Sequence, residues 1–348
     1  MRVFGLRNIA ILSLLLLPLF LMSCGNDKAE YRVVDGLMLG TFMHLSAQTA
    51  EQPNVIYDRM MEIDAEAKRS MSIFDENSLL SRVNRSLTDS IDRHIKFNLE
   101  LAGRITAVSE GAYDVTVKPL VEAYGFAGKE RKAQINVDSL MEFVGFDKVR
   151  IEGDRIVKSD SRVQLDFNSI AKGYTVDLAA QELEKMGVEN YIVDIGGEVR
   201  CKGVNKKGGA WRIGIETPFD GNNTAGEHIQ QIISLSDCAL ATSGNYRRFY
   251  LDESGRKVAH TIDPRTGRSV VSDLLSATVI APTCAEADAY GTMFMALGKE
   301  RAIEVARKLE SEAVMVYFIT SASDGGYEIY YSSALASSLK LADGMHAI

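Results

Sequence analysis

The stretch of sequence that decides the fold is residues 277–298, ATVIAPTCAEADAYGTMFMALG, in which a short β-like run is followed by a capped helix. Thr283 precedes Glu286 by three positions, which is the spacing of a capping box, so a helix should begin there. Its apolar residues continue as far as Gly298, a typical helix stop. The stretch therefore predicts one strand joined to one helix within a mixed protein.

Related patterns occur on both sides of this stretch. Apolar residues at helical spacing predict helices over residues 53–71 and 92–109, and a third helix from Asn168 or Ser169 to Met186. Short β-like runs lie at 191–193, 211–215, 232–233, 277–280, 314–319 and 327–331. Strands interrupted by helices in this irregular order are typical of an α+β fold with an antiparallel sheet and packed helices. Without a break in composition, a single mixed body is expected.

The composition is that of an ordinary globular protein. The chain has 348 residues, 46% hydrophobic and 25% charged, and 39 Lys+Arg against 47 Asp+Glu give a formal net charge of −8. This acidic balance argues against nonspecific nucleic-acid binding, which needs a basic face. The abundance of apolar residues, with only six prolines, argues against a disordered chain.

The N-terminus has the features of an export signal. Arg2 and Arg7 precede an almost entirely apolar run at 9–22, which is short for a membrane span. The run ends at Ser23-Cys24, and a Cys after a small residue resembles a bacterial lipobox. Cys24 is therefore the expected lipidation site; a plain signal peptide with an incidental Cys is the less favoured alternative.

These features divide the chain into three parts. Residues 1–23 are the expected lipoprotein signal peptide, 24–35 the lipidated Cys and a polar linker, and 36–348 the folded domain. A lipid at Cys24 would tether the protein to a bilayer, facing the periplasm. Asn26, by resemblance to lipoprotein sorting rules, weakly favours the outer over the inner membrane.

The remaining cysteines are Cys201, Cys238 and Cys284. Their odd number and wide spacing indicate neither a disulfide framework nor a zinc site. Each is expected to behave as a small buried hydrophobe.

The segment from Asp166 to Asp177 is the first that could carry chemistry. A polar stretch entering a helix presents backbone N–H groups and a positive dipole end, and Lys172 adds a cation, which together suit a phosphate. The alternative, favoured from the residues alone, is a capped helix with a solvated lysine. Gly196-Gly197 after a predicted strand allows close backbone approach to a ligand, or a tight turn.

A second pair lies on the helix predicted to follow Thr283. Asp288 and Thr292 are four residues apart and so share one helix face, where their oxygens would suit a hard cation such as Mg²⁺. The alternative is an acid that favours the helix dipole and a hydroxyl bonded to the preceding turn.

Two further motifs are candidates. His260 lies in the polar motif His260-Thr261-Ile262-Asp263-Pro264 and could act as a base, although a lone His is more often structural. Tyr113-Asp114 after Gly111 could clamp a ring, or could be a helix stop that enters a buried strand. Ser243 is not in a G-x-S-x-G elbow, which argues against a serine hydrolase.

Together, and in their order along the chain, six motifs between Leu39 and Gly298 resemble the ApbE family of FAD:protein FMN transferases, which are often bacterial lipoproteins. The resemblance includes the serine-bracketed segment from Met71-Ser72-Ile73-Phe74 to Asn84. It implies a single T-fold-like mixed α/β body.

The resemblance also implies roles for individual residues. Asp166 and Lys172 would contact FAD, while the Ser169 carbonyl and the side chains of Asp288 and Thr292 would bind Mg²⁺. The other flavin-binding positions are Leu39, Phe74, Ala112, Tyr113, Asp114 and Ile262. His260, Lys172 and Asp288 would act in catalysis.

Three positions depart from the family pattern. Leu39 replaces the usual Met and Phe74 a frequent Tyr, so that an apolar contact and a stacking face remain. Asn168-Ser169 replaces a frequent Gly-Gly, which a backbone metal ligand tolerates.

The implied activity is Mg²⁺-dependent transfer of FMN from FAD to a threonine hydroxyl of a target flavoprotein, with release of AMP. The implied targets are subunits of membrane-bound redox complexes. The alternatives are hydrolysis of FAD to FMN and AMP at the same site, and a non-catalytic FAD-binding lipoprotein. The non-catalytic alternative is disfavoured because the chain retains Asp288, Thr292 and His260.

Overall fold

The structure is a computed structural model and describes residues 29–128, 130–132, 134–222, 226–246, 248–339 and 345–347. Within these ranges the helices are α1 (Pro53–Met71), α2 (Leu79–Asn84), α3 (Arg93–Val108), α4 (Lys118–Ala123), α5 (Val137–Met141), α6 (Ala171–Lys185), α7 (Cys284–Leu297) and α8 (Lys299–Leu309). The strands are β1 (Glu30–Met38), β2 (Thr41–Thr49), β3 (Val149–Glu152), β4 (Arg155–Lys158), β5 (Tyr191–Ile195), β6 (Glu198–Lys202), β7 (Trp211–Glu216), β8 (Ile229–Leu235), β9 (Cys238–Gly244), β10 (Phe249–Leu251), β11 (Lys257–Ala259), β12 (Ile262–Asp263), β13 (Arg268–Ser269), β14 (Leu274–Ala281), β15 (Met315–Ser321), β16 (Tyr327–Tyr331) and β17 (Met345–Ala347).

One large sheet forms the centre of the molecule, and its order in the described residues is β1-β2-β5-β6-β9-β14-β15-β16-β17. Neighbouring strands are antiparallel except for β16 and β17, which are parallel. The predicted α+β class, with an antiparallel sheet and packed helices, is confirmed. The β-like runs of the sequence overlap β5, β7, β8, β14, β15 and β16.

Strand β14 is buried along nearly its whole length because both of its faces are covered. Ala277, Val279 and Ala281 belong to the core that contains the buried side chains of α7. Ile280 points to a second cluster, which it shares with apolar residues of the β7–β8 hairpin. A strand covered on both faces carries a nearly continuous apolar run, which in β14 is interrupted by the buried Ser276 and Thr278.

The strongest helix signals are confirmed. Helix α1 spans the predicted residues, and α3 begins directly after Asp92, whose carboxylate accepts the N–H groups of His94 and Ile95. Before α7, the Thr283 hydroxyl oxygen accepts the Glu286 N–H. The same hydroxyl donates to the Glu286 carboxylate at 2.9 Å.

Helix α6 begins later than predicted. The expected start was Asn168 or Ser169, but the first helical residue is Ala171. The delay has a local cause, because the Asp166 carboxylate accepts the Asn168 N–H at 2.8 Å and holds the chain in a turn. The helix ends at Lys185, and Gly187 then adopts a positive φ of 79°.

The prediction that residues 24–35 form a linker is wrong for the residues after 29. Strand β1 begins at Glu30 and pairs along its length with β2, so this segment is part of the sheet. The signal peptide expected at 1–23 and the lipidation site Cys24 lie outside the described residues. Among the residues that the structure describes, no helix is long and apolar enough to cross a membrane.

Helices α6 and α7 pack unusually closely because Gly173 lies at their contact. A Cβ atom at this position would lie 2.2 Å from the Cys284 carbonyl oxygen and 2.8 Å from the Asp288 Cβ. The obstacle is backbone, which cannot rotate away. The contact therefore requires the absence of a side chain.

We expect Gly173→Ala to lower the free energy of unfolding by about 1–3 kcal/mol, although alanine is the better helix former, because the helices must separate. Urea denaturation measures the change. Gly209→Ala is the control, since the nearest atom to its Cβ lies 4.0 Å away. A Gly173→Ala protein as stable as the control would show that the contact can relax freely.

Candidate active site

The site is built on two helices that cap each other. The Asp288 carboxylate of α7 accepts the Gly173 N–H in the first turn of α6 at 3.0 Å. In return, the two carboxylate oxygens of Asp177 in α6 accept the N–H groups of Cys284 and Ala285, both at 2.9 Å. A carboxylate at a helix N-terminus stabilises it, so each helix fixes the start of the other.

Lys172 lies beside this contact and is held by the hairpin between β5 and β6. Its Nζ is 2.5 Å from Glu198 Oε2 and 3.5 Å from the Gly196 carbonyl oxygen. The glycines Gly196 and Gly197 form the turn, both with positive φ, so the structure uses them for a tight turn. The hairpin therefore places a buried carboxylate against the lysine.

The protonation states follow from burial and from this pairing. Burial, opposed by the charge of Lys172, raises the pKa of Glu198 to about 8. Burial also raises the pKa of Asp288, against the effects of Lys172 and the Gly173 N–H. For Lys172, burial lowers the pKa, but the charges of Glu198 and Asp288 outweigh burial and raise it overall. The lysine stays charged.

At the start of α6, backbone N–H groups that the sequence analysis expected to be available to a phosphate are already bonded within the protein. The N–H of Ala171 bonds the Phe167 carbonyl at 2.7 Å, and that of Tyr174 bonds the Ile170 carbonyl at 3.0 Å. With the Gly173 N–H taken by Asp288, these groups are not free for a phosphate. Attraction for an anion must come from Lys172 and the helix dipole rather than from those N–H groups.

Tyr113 links the metal-ligand candidate Ser169 to the core. The Ser169 hydroxyl donates to the Tyr113 oxygen at 3.0 Å, and the Tyr113 side chain is buried. This bond holds the turn that leads into α6, next to the helix end that Asp288 contacts. It leaves the Ser169 carbonyl, the atom expected to bind metal, outside the interaction.

Two predicted flavin contacts, Asp114 and Asp166, are already engaged by the protein. One oxygen of Asp114 accepts both the N–H and the hydroxyl of Thr116, at 2.8 and 2.7 Å. An oxygen of Asp166 bonds the Asn168 N–H. Burial raises the pKa of both carboxyl groups. Their visible role is to shape the two turns, and flavin binding by them stays a prediction.

The apolar positions fall into two groups. Leu39 lies at the β1–β2 turn with a φ of 51°, and its N–H donates to the Asp64 carboxylate at 2.7 Å. The Phe74 ring lies beside Gly128 and is 65% exposed. Ala112 and Ile262 are instead buried. The side chain of Ile262 packs in a small apolar cluster, so it is Phe74 and Leu39 that offer surface to a ligand.

His260 lies between β11 and β12 with one ring nitrogen engaged. Its Nδ1 is 3.3 Å from the Arg248 carbonyl oxygen, so this nitrogen carries the hydrogen and Nε2 keeps a lone pair. Burial lowers the pKa of His260. The imidazole is therefore neutral near pH 7, as a general base must be.

The oxygen donors at Asp288 and Thr292 fit a magnesium ion. Asp288 and Thr292 are one turn of α7 apart. The Asp288 carboxylate is buried, and Thr292 is half-buried. In the described part of the chain, no group of three or more His, Cys, Asp or Glu side chains could hold a metal. Mg²⁺ needs no such cage, because it takes one or two carboxylates together with backbone, water and phosphate oxygens.

Sequence reasoning missed two residues that define the site. Glu198 follows the pair Gly196-Gly197 and Asp177 ends the segment that begins at Asp166, but neither acid stands out from the sequence as a site residue. Their partners, Lys172 and Arg200, are distant in sequence, and Arg200 Nη1 contacts Asp177 at 2.5 Å. An acid inside an otherwise buried strand or helix face was the available signal.

The fold and this constellation define a class: a mixed α+β protein with a lysine–carboxylate site at the crossing of two helices. The sequence identifies the family to which the protein belongs, because the sequence model of the ApbE family matches residues 39–317. The chain belongs to the ApbE family.

Two relatives are named FAD:protein FMN transferase. The one from Vibrio cholerae is 35% identical, over 94% of this chain and 98% of the relative. The one from Haemophilus influenzae is 36% identical, over 90% and 93%. The solved structure of the flavin transferase ApbE from Vibrio cholerae superposes with a TM-score of 0.78 at 32% identity, covering 89% of this chain and 99% of that one.

Glu198 predicts a pH dependence of stability. Its pKa rises from the ordinary 4.5 to about 8 in the folded protein, so between these values the folded state holds a proton that the unfolded chain has released. The free energy of unfolding should therefore fall as the pH rises through this window, and Glu198→Gln should remove that part of the slope.

Urea denaturation in EDTA between pH 5 and pH 8 measures both slopes. Glu328→Gln is the control, because it removes the carboxylate of a more exposed ion pair with Lys299. Parallel slopes for wild type and Glu198→Gln would contradict the raised pKa.

Proposed function

We propose that this protein transfers FMN from FAD to a threonine hydroxyl of an acceptor protein and releases AMP. Family membership supports flavin transfer. The observation that carries the proposal for this chain is the placement of Lys172 beside the buried Asp288 at the start of α6. A lysine ammonium and a carboxylate that could bind a metal, at one helix start, suit a pyrophosphate.

Lys172 binds the pyrophosphate oxygens and stabilises the charge that develops on the leaving AMP. Burial raises the pKa of its partner Glu198, which weakens the pairing of that carboxylate with the ammonium and lets the ammonium turn to phosphate. When bound by Asp288, Thr292 and the Ser169 carbonyl, Mg²⁺ supplies further positive charge to the same oxygens.

His260 takes the proton from the attacking threonine hydroxyl. The Arg248 carbonyl fixes the tautomer, so Nε2 is the atom that accepts the proton. The exposed Phe74 ring offers a stacking face for the isoalloxazine, and the partly buried Leu39 at the β1–β2 turn offers an apolar contact.

Acceptors are proposed to be flavoprotein subunits of membrane-bound redox complexes. The protein would meet them at the periplasmic face of a membrane, with the outer membrane weakly favoured, held by a lipid on Cys24. The lipobox-like Leu21-Met22-Ser23-Cys24 supports this anchoring.

The first test incubates the protein with FAD, Mg²⁺ and an acceptor domain that contains threonine, followed by intact mass measurement of the acceptor. We expect a gain of one FMN. Asp288→Asn keeps an oxygen for the Gly173 N–H but loses the charge, and should slow transfer by about 10²-fold or more. Glu300→Gln on the exposed side of α8 is the matched control and should leave the rate unchanged.

The other outcomes are distinct. Free FMN and AMP without labelled acceptor would replace the proposal with FAD hydrolysis. FAD that stays bound and unchanged with several acceptors would replace it with flavin binding alone. Equal rates for Asp288→Asn and wild type would remove Asp288 from the metal site.

His260 predicts the shape of the pH–rate profile. Because burial lowers its pKa below the ordinary 6.5, the neutral base persists at pH 6.5, and kcat/KM should fall only at more acidic pH. His260→Gln should lose this acidic limb and be about 10²–10⁴-fold slower. His228→Gln, at an exposed position, should keep the wild-type profile; a limb that survives in His260→Gln would belong to another group.

A further inference from the structure

The large sheet has a short seam between β6 and β9. On one side lie β1, β2, β5 and β6, and on the other β9 and the strands that follow it. The paired residues across the seam are Val199 with Leu240, Arg200 with Ala239 and Cys201 with Cys238. Glu198 is on the first side, and α7 packs against β9 and β14 on the second. The candidate site therefore spans the seam.

The last of these pairs brings two thiols together. Cys201 and Cys238 are direct cross-strand partners, and the Cys201 thiol donates a hydrogen bond to the Cys238 carbonyl oxygen at 3.6 Å. Directly opposed residues in antiparallel strands have Cα atoms about 4.5 or 5.5 Å apart, and both distances lie within the range that a disulfide needs. The register therefore places the two Cα atoms at a separation that a disulfide can span.

The surroundings of the pair hold it in this register. The Asp237 carboxylate accepts the Gly203 N–H at 3.0 Å, and the Ser236 hydroxyl donates to the Gly203 carbonyl. These bonds join the residues just after β6 to those just before β9. The two cysteines are thus fixed at the base of the β7–β8 hairpin, which leaves the sheet after Cys201 and returns at Cys238.

We propose that Cys201 and Cys238 are a reversible redox site that forms an intramolecular disulfide across the seam, with a small-molecule disulfide such as oxidised glutathione as the oxidant. The site is separate from the candidate active site and does not depend on the proposed function.

The two thiols differ in access, which orders the reaction. Cys238 is half-buried, whereas Cys201 is buried, so Cys238 meets the oxidant first. Its thiolate attacks one sulfur of oxidised glutathione and expels one glutathione thiolate. The Cys201 thiolate then attacks the Cys238 sulfur and expels the second glutathione. Two protein thiols are oxidised, one disulfide is reduced to two thiols, and both protons go to solvent or glutathione.

The closeness of the two thiols assists the first step. The neighbouring Cys201 thiol lowers the pKa of Cys238, while the Cys238 thiol and burial raise the pKa of Cys201. The accessible sulfur is thus the one that ionises more readily. Cys284 is fully buried at the start of α7, and no cysteine of the described residues is paired with it, so it should remain a thiol.

The bond would close the loop that contains the whole β7–β8 hairpin and would link the two sides of the sheet covalently. Closing such a loop restricts the unfolded chain. We expect the melting temperature of the oxidised protein to be about 5 °C above that of the reduced protein. Trypsin cleaves after Arg200, Lys202 and Arg212, so oxidation should join the dipeptide Cys201-Lys202 to the peptide that carries Cys238.

The test treats the full chain with reduced or oxidised glutathione, blocks remaining thiols in denaturant, and maps non-reduced tryptic peptides. We expect the joined peptide only after oxidation, its loss with dithiothreitol, and the rise in melting temperature. Cys201→Ser should keep a glutathione adduct on Cys238, because the resolving thiol is absent, and should show no comparable rise.

Three results would overturn the proposal. In the first, both thiols still react with the blocking reagent after oxidation. In the second, Cys238 of the wild type stops at the glutathione adduct. In the third, the joined peptides involve Cys284 or a second copy of the chain. Cys238→Ser separates these cases from misfolding, since it should melt like the reduced wild type and resist oxidation.

Discussion

The rest of the structure depends on the reciprocal capping of α6 and α7. Each helix supplies a buried carboxylate, Asp177 or Asp288, to the N–H groups that begin the other. Such groups have no partner within their own helix, and leaving them buried and unpaired is costly. The exchange is possible only because Gly173 lets the backbones approach. Structure and chemistry therefore share one carboxylate, since Asp288 both holds the helix and faces the site.

Sharing a carboxylate in this way constrains the electrostatics of the site. Asp288 and Glu198 are acids whose pKa burial raises, and Lys172 is the cation that both face. If both acids ionised, the site would carry excess negative charge and repel a pyrophosphate. Protonation of Glu198 and a cation at Asp288 both reduce that charge. In the proposed function, a divalent cation at Asp288 would therefore assist phosphate binding as well as the chemical step.

The features predicted from sequence were those whose signal is local. The Thr283–Glu286 capping box and Gly298 set both ends of α7, and its spacing put Asp288 and Thr292 one turn apart. The start of α6 and the strand at residue 30 were misjudged because a side-chain turn and a cross-strand partner decide them. Pairs such as Lys172–Glu198 join distant segments, so no spacing along the chain could reveal them. The same holds for Cys201 and Cys238, which the sheet register brings together.

The position of the seam explains why these non-local pairs matter most. Arg200 of β6 contacts Asp177, which caps α7, and α7 packs on β9 across the seam. The two sides of the sheet are therefore joined by three backbone pairings and by this chain of charged contacts. Slippage at the seam would misplace Asp177, release the start of α7 and move Asp288 away from Lys172. The geometry of the site therefore depends on the register of these two strands as well as on the reciprocal capping of the two helices.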